Sequence, residues 1–104
     1  IIFDKNGEFF LTIGSPGGKA IISYVIKSLI CLLYENKSLH EAIESPNYIR
    51  IKNKTYVENR SLNKKIKKKG LVRNLTSGLG IIKKDKNHYL AGADSRRDGT
   101  VRGN

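Results

Sequence analysis

Gly14-Ser15-Pro16-Gly17-Gly18 separates a short β-prone run, Phe-Phe-Leu-Thr-Ile at residues 9–13, from a stretch with helical spacing that reaches from Lys19 to about Glu35. Strand, tight turn and long helix is the predicted local architecture. Pro16 fixes one φ angle and lacks an N–H. Gly17 and Gly18 carry no Cβ, so their backbone can take strained conformations and approach a ligand closely. Free N–H groups at a helix start attract negative charge, whether a carboxylate, a phosphate or the oxyanion that develops when an acyl group is attacked. Taken alone, Pro-Gly-Gly is more often a turn without chemistry. A P-loop is excluded, because it needs four residues between its first glycine and its Gly-Lys pair, then Ser or Thr for the metal. Here only Ser15, Pro16 and Gly17 intervene, and Ala20 follows Lys19.

Upstream of the turn, residues 1–3 and 9–13 flank Asn6-Gly7, a pair that favours positive φ and hence a hairpin. Downstream, Ile22, Val25, Ile26, Leu29 and Leu33 form one apolar stripe of the helix, widened by Ile21, Ile30 and Leu32, with Lys19, Ser23 and Lys27 as a narrow polar edge. Such a helix needs cover on most sides. Ser38-Leu39-His40-Glu41 fits a capping box, and the helix it opens should stop before Pro46. Two short strands, residues 48–52 and 55–58, are expected around Asn53-Lys54. Ser61 can cap a third helix, with Leu62 and Ile66 one turn apart and Gly70 closing it; the lysines of 64–69 then mostly face water. Residues 79–82 and 89–93 read as a hairpin over 83–88. The charges of Asp94-Ser95-Arg96-Arg97-Asp98-Gly99 can pair within a packed terminus. The sum is a mixed α+β layer arrangement in a single unit, residues 1–104.

A chain of 104 residues makes at most one small domain with a limited core. It starts at Ile1 and contains no methionine, so it is expected to be a processed chain or a piece of a longer protein. The excess of 20 Lys+Arg over 9 Asp+Glu, a formal charge of +11, raises nucleic acid as a partner. That signal is discounted: only residues 64–69 are dense in charge, whereas a phosphate-binding face needs its charge gathered on one surface. Nucleic acid is therefore the disfavoured alternative. Cys31, among Ile30, Leu32 and Leu33, reads as a small buried thiol and has no partner for an intrachain disulfide. The apolar run at 21–34 is shorter than a membrane span and carries Lys27. His40 and His88 lack metal-ligand partners at useful spacing, and Ser15 and Thr12 lack an evident base. Neither metal nor cofactor is expected.

Gly-Ser-Pro-Gly-Gly after a strand, a long helix, the Glu-Ala-Ile-Glu-Ser-Pro end of a second helix and the terminal Gly92-Ala93-Asp94-Ser95-Arg96-Arg97-Asp98-Gly99 together resemble the C-terminal half of the γ-glutamyltranspeptidase small subunit. The order of motifs matches along nearly the whole chain. The resemblance implies a fragment of an N-terminal nucleophile hydrolase, a four-layer αββα sandwich made as one precursor that cuts itself into large and small subunits. It implies attack by an N-terminal threonine on the γ-glutamyl bond of glutathione or similar amides, and transfer of the acyl group to water, an amino acid or a peptide. The backbone N–H groups of Gly17 and Gly18 would form the oxyanion hole. The large subunit and the remainder of the small subunit would be the partners, in the periplasm, outside the cell or at its surface. The nucleophile, the serine pair for the substrate carboxylate and the groups for the α-amino end would lie outside this chain, so the chain alone is expected to be inactive. Ser45-Pro46-Asn47-Tyr48-Ile49 departs from the family's Ala-Pro-Arg segment and its following histidine pair. A related acylase acting on another amide is the alternative within the fold.

Overall fold

The computed structural model describes residues 1–59 and 70–102. Ile2–Phe3 (β1) and Phe9–Gly14 (β2) form the expected antiparallel hairpin. Gly7 takes positive φ at +78°, while the Asp4 carboxylate accepts from the N–H groups of Asn6 (2.8 Å) and Glu8 (3.0 Å). After one 3-10 turn, Gly18–Ala20, the helix α1 runs over Ile21–Leu33. Helix α2, Leu39–Glu44, starts with the expected capping box: Ser38 accepts from the Glu41 N–H and Glu41 reaches back to the Ser38 N–H. Ser45, preceding Pro46, has left the helical region at ψ 140°.

Tyr48–Ile51 (β3) and Lys54–Val57 (β4) pair antiparallel, and their turn lies one residue earlier than expected, because Lys52 and Asn53 are the two residues with positive φ. Leu71–Val72 (β5) adds parallel to β4, a pairing that local sequence pattern does not announce. Gly80–Asp85 (β6) and His88–Ala93 (β7) form a longer hairpin than expected, turning only through Lys86 and Asn87. His88 thus opens a strand instead of lying in a loop. The result is a four-stranded antiparallel sheet of order β1-β2-β6-β7 and a three-stranded sheet of order β3-β4-β5. The expected helix opened by Ser61 and the lysines at 64–69 lie outside the described residues.

The core gathers Leu11 from β2, Ile81 from β6, Leu79 just before it, Ile43 from α2 and Tyr24, Cys31 and Leu32 from α1. Here the structure departs from the polar edge expected at Lys27. The helix buries Tyr24, Lys27, Ser28 and Cys31, spaced i, i+3, i+4, i+7, whereas Ile22 (70% exposed), Ile26, Ile30 and Leu33 face outward. Lys27 is inside because its ammonium donates to the carbonyls of Ala42 (2.9 Å), Ile43 (3.1 Å) and Ser45 (2.9 Å). Those oxygens are orphaned where α2 stops ahead of Pro46, and a buried helix end demands donors. Among the described residues, no helix is long and apolar enough to cross a membrane.

Candidate active site

The strand β2 delivers the chain to the glycine turn, and its residues set the turn's shape. Gly17 has φ 142° and ψ 12°, and Gly18 has φ 57°, so both occupy territory that side chains enter only with strain. Gly17 also sits under an aromatic ring: a Cβ there would lie 2.8 Å from Tyr24 Cε2. Gly18 faces open space. The Ala20 N–H donates to the Gly17 carbonyl (3.1 Å), which starts the helical winding. No acceptor among the described residues takes the N–H of Gly17 or Gly18. The helical N-terminus has no side-chain cap and no acidic residue in its first turn, so its positive end is uncompensated.

Beneath the turn lies the segment 76–78. The Gly78 N–H donates to Ser15 Oγ (3.0 Å), and a Cβ at Gly78 would lie 2.9 Å from the Pro16 ring, so the Gly78 backbone packs directly against the side chains of the turn. Arg97 Nε donates to the Thr76 carbonyl (2.9 Å). Ser77, fully buried, donates to Asp94 Oδ2 and accepts from Asn47 Nδ2 (2.9 Å).

Asp94 is the hub of this layer. Its carboxylate also accepts from the backbone N–H groups of Leu79 (3.2 Å) and Arg96 (3.1 Å) and from Arg96 Nη1 (3.0 Å). Burial would push the Asp94 carboxyl up, but these hydrogen bonds outweigh it and hold the pKa below the usual carboxylate range. Arg96 binds Glu58 in two-pronged fashion, both contacts 2.7 Å, and donates to the carbonyls of Ile43 (2.9 Å), Glu44 (3.3 Å) and Ser45 (3.2 Å). Burial opposes its charge, yet the pairing with Glu58 and Asp94 raises its pKa further. Lys27 and Arg96 therefore share the C-terminal carbonyls of α2. Burial first, then the nearby Arg96 charge, lowers the Lys27 pKa to about 8.

The sequence-expected site residues are thus distributed unevenly. Gly17 and Gly18 stand together at the helix start, and Ser15 is tied into the turn. His40 and His88 are exposed at the start of α2 and β7, and no group of three or more metal-ligating side chains occurs among the described residues. Thr12 lies within β2, paired with Ile82, and stays out of the turn. The ion-pair cluster expected at the terminus is present as Asp94–Arg96, but its third member, Glu58, was not foreseen. Asn47, at the position where the resemblance expects arginine, is buried and donates from its backbone N–H to Glu58 (3.1 Å). The clue available in sequence was Ser45-Pro46, since a helix cut short there leaves carbonyls that only distant basic residues can satisfy.

With this geometry, relatives can be compared. The sequence profile of the gamma-glutamyltranspeptidase family matches residues 1–103. No curated protein sequence matches the chain significantly. The solved structure of Helicobacter pylori gamma-glutamyltranspeptidase (T380A mutant) is similar with a TM-score of 0.75 at 21% identity, covering 92% of this chain and 59% of that one. The enzyme from Pseudomonas nitroreducens complexed with L-DON gives 0.80 at 16% identity, over 99% of this chain and 60% of that one. The transpeptidase CapD of Bacillus anthracis gives 0.73 at 27% identity, over 90% and 63%. The chain therefore spans about 60% of the length of these solved chains. The mixed helix and sheet fold is that of a gamma-glutamyltranspeptidase, an N-terminal nucleophile hydrolase, and the chain belongs to the gamma-glutamyltranspeptidase family.

Proposed function

We propose that the chain is the oxyanion-hole part of an enzyme that cleaves the γ-glutamyl amide bond of glutathione or similar compounds through an acyl-enzyme, which then passes to water, an amino acid or a peptide. Family membership over residues 1–103 supplies the reaction class. The single observation that carries the site is the Gly17-Gly18 pair: two adjacent residues with positive φ, at an uncapped helical N-terminus, whose N–H groups take no acceptor among the described residues. Donors held this way need no reorganisation when a carbonyl oxygen gains charge during attack, so they stabilise the transition state more than the bound substrate.

In this reading, the nucleophilic threonine and the groups gripping the α-amino and α-carboxylate ends of the γ-glutamyl moiety come from the remainder of the small subunit and from the large subunit. The compartment is periplasmic, extracellular or at the cell surface. The test is release of a chromogenic amine from a γ-glutamyl anilide. The complete, self-cleaved protein should release it and acylate at the γ-carbonyl, and the isolated 104-residue chain should not. Release by the isolated chain, or a complete protein that matures yet leaves γ-glutamyl amides intact, would contradict the proposal.

A further inference from the structure

The Ser15 hydroxyl makes two hydrogen bonds that no turn requires of it. It donates to the Pro16 carbonyl (2.8 Å) and accepts from the Gly78 N–H (3.0 Å), which lies 63 residues away in sequence. A hydroxyl has one donor and room for acceptance, so both roles are filled at once. The carbonyl of Pro16 and the N–H of Gly17 belong to one peptide unit. That unit is planar and, with no cis bonds among the described residues, trans, so its C=O and N–H point in opposite directions. Fixing the Pro16 oxygen toward Ser15 Oγ therefore aims the Gly17 N–H away from it. The anchor is held in place: a Cβ at Gly78 would meet both the Pro16 ring (2.9 Å) and the Arg97 side chain (3.0 Å), and its neighbour Ser77 is fully buried on Asp94.

We infer that Ser15 is a positioning residue for the oxyanion turn: its hydroxyl, clamped by the Gly78 N–H, sets the direction in which the Gly17 N–H points. This rests on the proposed role of Gly17 and Gly18. Without the hydroxyl, no other hydrogen bond among the described residues fixes the Pro16–Gly17 peptide plane, and glycine torsions are the softest in the chain. A donor swung off its line loses its advantage in the transition state while substrate binding, made elsewhere, is untouched. The effect is a loss in kcat of about 10-fold to 100-fold, below the roughly 100-fold to 1000-fold that removal of an oxyanion donor costs.

The experiment compares Ser15→Ala, Ser15→Thr and Gly17→Ala in the full-length, self-cleaved protein, reading kcat and KM on a γ-glutamyl anilide together with the thermal unfolding midpoint. Ser15→Ala should lose kcat with KM within about twofold and an unfolding midpoint close to the parent's. Ser15→Thr, which keeps the hydroxyl, should recover most of kcat. If Ser15→Ala does not mature, Ser15→Cys, with a weaker donor and acceptor at the same place, makes the same comparison. A full kcat in Ser15→Ala beside a large loss in Gly17→Ala overturns the positioning role and leaves the oxyanion turn standing. A full kcat in Gly17→Ala removes the oxyanion reading itself, and the Ser15 inference with it. A loss in Ser15→Ala that Ser15→Thr fails to recover, or that tracks a lowered unfolding midpoint, marks the serine as packing only.

Discussion

Replacing Arg96 by methionine should be among the most damaging single changes available in this chain. The Arg96 side chain is only 14% exposed and that of its partner Asp94 is fully buried. Methionine keeps much of the side-chain volume but strips two contacts to Glu58, one to Asp94 and the donors serving the carbonyls of Ile43, Glu44 and Ser45. Lys27 still covers Ile43 and Ser45, so the carbonyl loss is partial. The dominant cost is the Asp94 charge, left in the interior with Ser77 and two backbone N–H groups but no cation bonded to it. Breaking a buried pair from one side costs about 3–5 kcal/mol, a large share of the roughly 5–15 kcal/mol that holds an ordinary domain together. Arg96→Lys should fall between, because one ammonium cannot reproduce a two-pronged grip on Glu58 and a bond to Asp94 together. Urea midpoints of the full-length protein, with the self-cleavage proposed for it followed on a denaturing gel, measure the series. An Arg96→Met protein that matures and unfolds within about 1 kcal/mol of the parent would refute the assignment of Asp94–Arg96–Glu58 as the brace of this layer.

Lys27 makes the protein's stability depend on alkaline pH in a predictable direction. Its pKa is about 8 folded, against an ordinary value of 10.5. Between those values the folded state has shed the proton that the unfolded chain still holds, so stability rises with pH across the window, by up to about 3 kcal/mol. Lys27→Met should abolish that rise in urea titrations taken from pH 7 to 10.5, and a slope unchanged in the variant would count against the burial. Ser38→Ala should cost about 1 kcal/mol by removing one half of the capping box ahead of α2, readable as a shifted urea midpoint; no shift would mean that packing of α2 makes its cap redundant.

Much of the fold was legible because short-range chemistry governs it. The Asn6-Gly7 turn, the Ser38 capping box, the Ser45-Pro46 stop and the glycine turn each depend on residues within a few positions of one another, and each appears where the sequence places it. The buried face of α1 was not legible. An apolar helix offers several faces, and the choice fell to Lys27, whose partners lie 15 to 18 residues further on. Glu58 as the mate of Arg96 and the parallel strand β5 beside β4 are likewise long-range, and no local pattern announces them. The glycine pair of the proposed site is a local feature of the sequence, but what packs around it is not. That Gly78 sits against Pro16 and donates to Ser15 follows from pairing β2 with β6, which brings Gly14 opposite Gly80.

The central claim rests on the direction of two N–H groups, and kcat for Gly17→Ala and Gly18→Ala in the full-length, self-cleaved protein tests it most directly. Gly17→Ala adds a methyl group 2.8 Å from the Tyr24 ring at a φ of 142°, so the turn must move. Gly18→Ala meets nothing within 4 Å and carries only the strain of φ 57°, about 1–2 kcal/mol for a side chain in the left-handed region. The account predicts a fall in kcat on the order of 100-fold or more for Gly17→Ala, a smaller fall for Gly18→Ala and little change in KM for either. Variants that mature normally, keep their kcat and lose only KM would contradict it, and would make the turn a substrate-positioning or packing element.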